Sequence, residues 1–144
     1  RDYAREVLEA LGEVAVDGVA VRPGHPVLLA VVGTTPVIGI PGYPVSAAFT
    51  YELFARPLLG ELLGAVPPRP ALEVRLAEAV GGRADSTCMV AVALDSVYGD
   101  MPTAMPCARR AGALRSLARA DGYLTVPPGE GFATGSVVTA LLFA

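Results

Sequence analysis

The sequence predicts an α/β segment followed by a small all-β, barrel-like domain. Three observations lead there. First, an apolar run at Val37–Ile40 leads through a Pro-Gly-Tyr-Pro turn into a stretch with apolar residues at helical spacing. Second, Ala65-Val66-Pro67-Pro68-Arg69-Pro70 has the composition of a stiff linker, and the pattern changes beyond it. Third, the remaining residues fall into short strands separated by Gly- and Pro-containing turns. The expected division is residues 1–66, a linker at 67–70, and a β-barrel domain at 71–144.

In the first part, Tyr3, Val7, Leu8 and Leu11 lie at helical spacing, and Gly12 reads as the stop. Residues 13–21 are rich in valine and read as a strand broken near Asp17-Gly18. Arg22-Pro23-Gly24-His25-Pro26 is a turn by composition. Val27–Val32 reads as a strand, and Gly33-Thr34-Thr35 as a hairpin-like turn into the strand at Pro36–Ile40. Pro44 suits the first helical position, where its fixed φ is helical and its missing N–H is not needed. Val45, Ala48, Phe49 and Leu53 then mark the apolar side of a helix. The result is an α-β-β-β-α order up to about Leu63.

In the second part, Leu72, Val74 and Leu76 alternate with Glu73 and Arg75, as in a half-buried strand. Gly81-Gly82 reads as a turn. Strands are expected at Met89–Leu94, Thr103–Cys107, Tyr123–Val126 and Val137–Phe143, with one or two helical turns at Leu114–Ala120.

Composition narrows the function classes. The 144 residues are 53% hydrophobic and 17% charged, enough apolar content for a packed core. A net charge of -3 argues against nucleic acid as a partner, because phosphate backbones demand a basic surface. No apolar run approaches the roughly 20 residues that span a bilayer, and the charged start lacks a signal-peptide core, so a cytoplasmic setting without membrane contact is expected. Cys88 and Cys107 have no metal-like spacing and read as two buried free thiols.

The turn at 40–46 carries the chemistry. A strand-to-helix junction presents free N–H groups and a partial positive charge to an anion. Gly42 allows close approach to the backbone, and Ser46 places a hydroxyl in the first turn. Such junctions are also plain connections in every α/β domain. Elsewhere, Arg22 and His25 put two basic side chains on a rigid turn, an arrangement that suits an oxyanion or phosphate and is equally common as an exposed basic turn. Asp2 is an acidic candidate, either as a metal ligand or as a helix N-cap. Arg109, Arg110, Arg115 and Arg119 can face anionic groups or water. Arg115 and Arg119 are four apart and are expected to share a helix side.

Gly39-Ile40-Pro41-Gly42-Tyr43-Pro44-Val45-Ser46-Ala47, with the helix end Glu52-Leu53-Phe54-Ala55-Arg56-Pro57-Leu58, resembles the signature of the molybdopterin molybdenumtransferase family, the bacterial counterpart of the C-terminal domain of gephyrin. The family pattern is Gly-hydrophobic-Pro-Gly-Asn-Pro-Val-Ser-Ala, and Tyr43 stands where Asn is usual. Asp2-Tyr3 matches the family's Asp-Tyr pair, and Arg22-Pro23-Gly24-His25-Pro26 matches its Lys-Pro-Gly-Lys-Pro turn with Arg and His in place of the lysines.

The resemblance implies that residues 1–66 are the C-terminal half of a three-layer molybdopterin-binding α/β domain, and that the chain is a piece of a longer protein. It implies insertion of molybdate into adenylylated molybdopterin with release of AMP, using magnesium, in a protein that is a homodimer at full length. The roles it implies are catalysis and metal binding for Asp2, pterin or phosphate binding for Gly42, Tyr43, Pro44 and Ser46, and oxyanion binding for Arg22 and His25. The family also carries an aromatic-x-Arg element after the Gly-Gly turn. Here Asp85-Ser86-Thr87-Cys88-Met89 contains no arginine. Together with Tyr43 and His25, this departure motivates an alternative, a non-catalytic molybdate- or pterin-binding module of the same ancestry within a larger fusion. A scaffold or oligomerisation segment is a third reading.

Overall fold

The computed structural model describes residues 3–95, 101–107 and 114–143, and the chain divides into two compact units, Arg1–Val66 and Pro67–Ala144. Asp2, Arg109 and Arg110 lie outside the described residues.

The first unit begins with helix α1 (Ala4–Leu11), which packs against strands β1 (Glu13–Asp17) and β3 (Leu28–Val32). Arg5 ties the helix down by bonding Glu9 at 2.8 Å and the carboxylate of Asp17. Gly12 ends α1 by donating its N–H to the Leu8 carbonyl. It does so in an extended conformation rather than a left-handed one. The glycine is required by space: a Cβ there would lie 2.1 Å from the Val31 carbonyl oxygen. The valine-rich stretch breaks after Asp17, where Gly18 takes φ +80°, and resumes as the two-residue strand β2 (Val21–Arg22). β3 pairs with β1 on one side and with β4 (Thr35–Gly39) on the other, so the sheet order is β1-β3-β4 and all pairs are antiparallel. The β3–β4 hairpin turns at Gly33, φ +62°.

From Pro44 to residue 63 the chain is helical throughout, in three registers: α2 (Pro44–Thr50), a π turn (Tyr51–Ala55) and α3 (Arg56–Leu63). Pro57 accounts for the middle piece. In a regular α-helix its ring would strike the carbonyl four residues back, and one backbone bond would be lost. A wider turn carrying one extra residue relieves both. Gly64, φ +80°, closes the helix in the left-handed conformation. Among the apolar residues, Val27, Leu28, Ala30, Val45 and Phe49 are buried in this unit. No helix among the described residues is long and apolar enough to cross a membrane.

The second unit is a closed five-stranded barrel. Its strands are β5 (Ala71–Leu76), β7 (Thr87–Asp95), β8 (Thr103–Pro106), β9 (Gly122–Val126) and β11 (Val137–Leu142). Around the ring the order is β7-β8-β5-β11-β9, and the β9–β7 pairing completes it. β5 and β8 are parallel, and the other pairs are antiparallel. Alternate residues fill the interior: Val74 and Leu76 from β5, Cys88, Val90 and Val92 from β7, Leu124 and Val126 from β9, with Ala104 and Ala140. The expected turn at Gly81-Gly82 is instead half of a small ribbon, in which β6 (Val80–Gly81) pairs with β10 (Gly131–Phe132). Helix α4 contracts to Leu114–Leu117. Arg119 therefore lies beyond its end and does not share a helical side with Arg115.

The two cysteines are free, but only Cys88 is fully buried. Cys107 is half-buried, and that burial pushes its thiol up from the ordinary value. In the turn before β7, Asp85 accepts hydrogen bonds from Arg83 Nε and Ser86 Oγ, both at 3.1 Å. The Arg83 bond, then that from Ser86, holds its carboxyl below the usual range. A depressed carboxylate contributes stability above its unfolded pKa and loses it as pH falls through the folded one. Asp85→Asn is thus expected to lower stability slightly near neutral pH and to make no difference in strong acid. Urea midpoints of both proteins at the two pH values check this.

Candidate functional site

Two stretches singled out in the sequence meet within the first unit. The basic turn at 22–26 lies against α2. Its centre is Gly24, buried, with φ +121°, a conformation that side chains rarely adopt. A Cβ at Gly24 would stand 3.4 Å from Thr50 Oγ1 and 3.9 Å from the Ser46 carbonyl oxygen. The turn thus rests on the helix at the level of Ser46 and Thr50, one helical turn apart.

The other side of the basic turn is held by His25. Its Nδ1 lies 2.6 Å from the Val19 carbonyl oxygen, a distance at which Nδ1–H donates, and its own carbonyl accepts from the Val19 N–H at 2.9 Å. The ring folds over Gly18, where a Cβ would lie 3.7 Å from His25 Cε1. His25 is therefore committed at Nδ1 to the architecture of its own loop, and only Nε2 remains for another partner. Arg22 is exposed at the entrance of the turn.

The junction at 40–44 is open. Tyr43 occupies the N-cap position with extended φ and ψ, Pro44 begins the helix, and the Tyr43 carbonyl accepts the Ala47 N–H at 2.8 Å. Beyond Gly42 and its two chain neighbours, no heavy atom among the described residues lies within 4 Å of the position a Cβ on Gly42 would take. Tyr43 is 64% exposed. Its side chain makes no capping bond. Ser46, by contrast, is buried at 4% exposure on the same side of the helix as Val45 and Phe49. The sequence puts its hydroxyl in the first turn of the helix; the structure buries this residue, with its carbonyl oxygen 3.9 Å from the position a Cβ on Gly24 would take.

Near the start of the chain, the N-cap position of α1 is Tyr3, and Asp2 lies outside the described residues. Among the described residues, no group of three or more His, Cys, Asp or Glu side chains gathers to hold a metal ion. Thr50 escaped the sequence reading, although its signal was present. It stands four residues after Ser46 and one after Phe49, on the buried side of the same helix.

Comparison with known proteins matches each unit separately. Residues 1–61 fit the family described as a probable molybdopterin binding domain, and residues 73–143 fit the MoeA C-terminal region (domain IV). A putative molybdopterin biosynthesis protein of Methanocaldococcus jannaschii is 32% identical over 143 residues, which is 99% of this chain and 33% of that protein. A molybdopterin molybdenumtransferase 2 of Mycobacterium tuberculosis is 34% identical over 110 residues, 76% of this chain and 27% of its own length. Among solved structures, a molybdopterin biosynthesis MoeA protein from Pyrococcus horikoshii superposes with a TM-score of 0.81 at 33% identity, covering 97% of this chain and 34% of its own. The chain spans about a third or less of the length of these relatives.

Proposed function

Because this chain belongs to the molybdopterin molybdenumtransferase family, matching its C-terminal portion, we propose that the protein acts in molybdenum cofactor biosynthesis, inserting molybdate into adenylylated molybdopterin with release of AMP. The names of the relatives support a place in molybdenum cofactor biosynthesis, and the insertion reaction is our proposal. The observation that supports it is the seating of Gly24, at the centre of the basic turn, against Ser46 and Thr50 of α2, the helix that starts from the Gly42–Pro44 junction.

In this reading Gly42, Tyr43 and Pro44 form the open lip for the pterin nucleotide. The backbone N–H groups of the helix start face its phosphate. Arg22 holds the oxyanion with its planar fork of donors. Ser46 serves from beneath, by fixing the helix under the turn. Asp2 would hold a magnesium ion, which would supply charge neutralisation for the phosphate. His25 contributes through Nε2 alone. Catalysis is then mainly positioning and charge neutralisation. A cytoplasmic homodimer is part of the same proposal.

Arg22→Ala tests the assignment. Loss of a charge-assisted hydrogen bond is worth about 1.5–3 kcal/mol, so molybdate-dependent AMP release should fall by roughly 10- to 100-fold, with thermal stability unchanged. Activity within twofold of the parent would remove the turn from the site. The commitment of His25 to Val19 favours a second reading, a binding module that retains the pterin nucleotide without turning it over. Binding without AMP release in the parent protein would establish that one.

A further inference from the structure

We infer that Thr50 is a positioning residue for the anion-holding turn, its hydroxyl kept in place for the Gly24 peptide and engaged when Arg22 takes up an oxyanion. The inference rests on the functional reading of the turn given above and adds to it a residue that contacts no ligand.

Thr50 is 1% exposed, and its Oγ1 has no hydrogen-bond partner among the described residues. A buried hydroxyl without a partner is costly, and a threonine within a helix has an easy remedy: it bonds the carbonyl four residues back. Here that carbonyl belongs to Ser46, and Thr50 does not make the bond. Its oxygen stands instead against Gly24, where a Cβ would lie only 3.4 Å away. Gly24 is the point at which the basic turn touches the helix. Its φ of +121° puts it where a small change of backbone angle swings the adjoining peptide groups. The rest of the turn is anchored on the far side by the pair of His25–Val19 hydrogen bonds, so such a change is confined to the segment between Arg22 and Gly24.

These facts describe a contact with one unmade bond at the hinge between the candidate anion ligand and the helix. An anion drawn to Arg22 pulls on this segment. The peptide at Gly24 then meets a hydroxyl already aimed at it, and the bond formed adds to the affinity for the anion. A hydroxyl satisfied only in the bound state contributes to binding and lowers the stability of the free protein.

The experiment uses the polypeptide at its natural length and molybdate alone as the titrant. Thr50→Ser and Thr50→Ala both lack the methyl group and differ only in the hydroxyl. The expected result is that Thr50→Ser binds molybdate within about threefold of the parent, whereas Thr50→Ala binds about tenfold more weakly, at similar melting temperatures. Thr50→Val, which keeps the shape and removes the hydroxyl, should bind as weakly as Thr50→Ala while melting no lower than the parent. Equal molybdate affinity in the Ser and Ala variants overturns the inference. Arg22→Ala separates the two levels of failure. If it loses molybdate while the Thr50 variants do not, the turn is the site and Thr50 merely packs. If it binds like the parent, or the parent holds no molybdate, the reading of the turn falls and this inference falls with it.

Discussion

Phe49→Ala is expected to destabilise the protein by about 3–5 kcal/mol, the range for removing a buried aromatic ring. Phe49 is 1% exposed, the largest fully buried side chain among the described residues. It lies on α2, four residues after the buried Val45, and next to Thr50 on the side over which the basic turn crosses. Domains commonly have only about 5–15 kcal/mol in reserve, so the loss is a large fraction of the total. A chemical denaturation curve reads it directly, as a lower midpoint at unchanged slope. Phe49→Leu, which keeps most of the volume, should cost about 1.5 kcal/mol or less. Tyr43→Ala, at a ring 64% exposed, should stay within about 0.5 kcal/mol. If Phe49→Ala and Tyr43→Ala had similar midpoints, the burial of this helix side would be wrong.

Gly122→Ala should cost about 3 kcal/mol, the upper part of the range for overpacking, from a single added methyl group. Gly122 is where β9 meets both neighbours, facing Val92 on β7 and Leu142 on β11. An added Cβ would lie 2.4 Å from the Leu141 carbonyl oxygen and 3.1 Å from its carbonyl carbon. Both obstacles are backbone, so no rotamer change relieves them. The β9–β11 pairing is short, Leu141 with Tyr123 and Leu142 with Gly122, so the methyl group strikes half of it. Tyr123 and Phe143, with ring centroids 5.4 Å apart, pack beside the same pairing. Hydrogen exchange at Phe143, whose N–H donates to the Asp121 carbonyl at 3.0 Å, should quicken well before exchange at Val90 and Leu124. Unchanged protection at Phe143 would show that the pairing tolerates the methyl group.

Much of this architecture was legible because local patterns and tertiary burial agree. The apolar run at 37–40, the Pro44 start and the Val45/Phe49 spacing each predict the element that forms. The Leu72, Val74, Leu76 alternation predicts which residues of β5 face inward. What was not legible depends on partners distant in sequence. Nothing local says that β5 runs parallel to β8, or that β9 pairs with β7, and those pairings turn a row of strands into a closed ring. The break after Asp17 was visible in Gly18. The reason for glycine at position 12, a neighbouring carbonyl, was not. In the candidate site, residue type alone does not separate the roles open to Ser46, because a hydroxyl near a helix start serves a ligand or a buried contact equally well; its burial is set by the fold. His25 looked like a free base. Only the fold reveals that Val19 has claimed one of its nitrogens.

The π turn at Tyr51–Ala55 also leaves a mark on how this helix can change over generations. Each residue of an α-helix advances the azimuth by about 100°, and a π turn absorbs one residue without advancing the rest by that amount. Codon loss within this turn, when Pro57 is replaced as well, is therefore a mild event: the helix tightens to a regular spiral while α2 and α3 keep their facing. The same loss within either flanking helix rotates everything beyond it. Length variation among relatives of this segment should accordingly collect at 51–55, and an alignment that places a gap elsewhere in the helix will assign the wrong residues to its buried side.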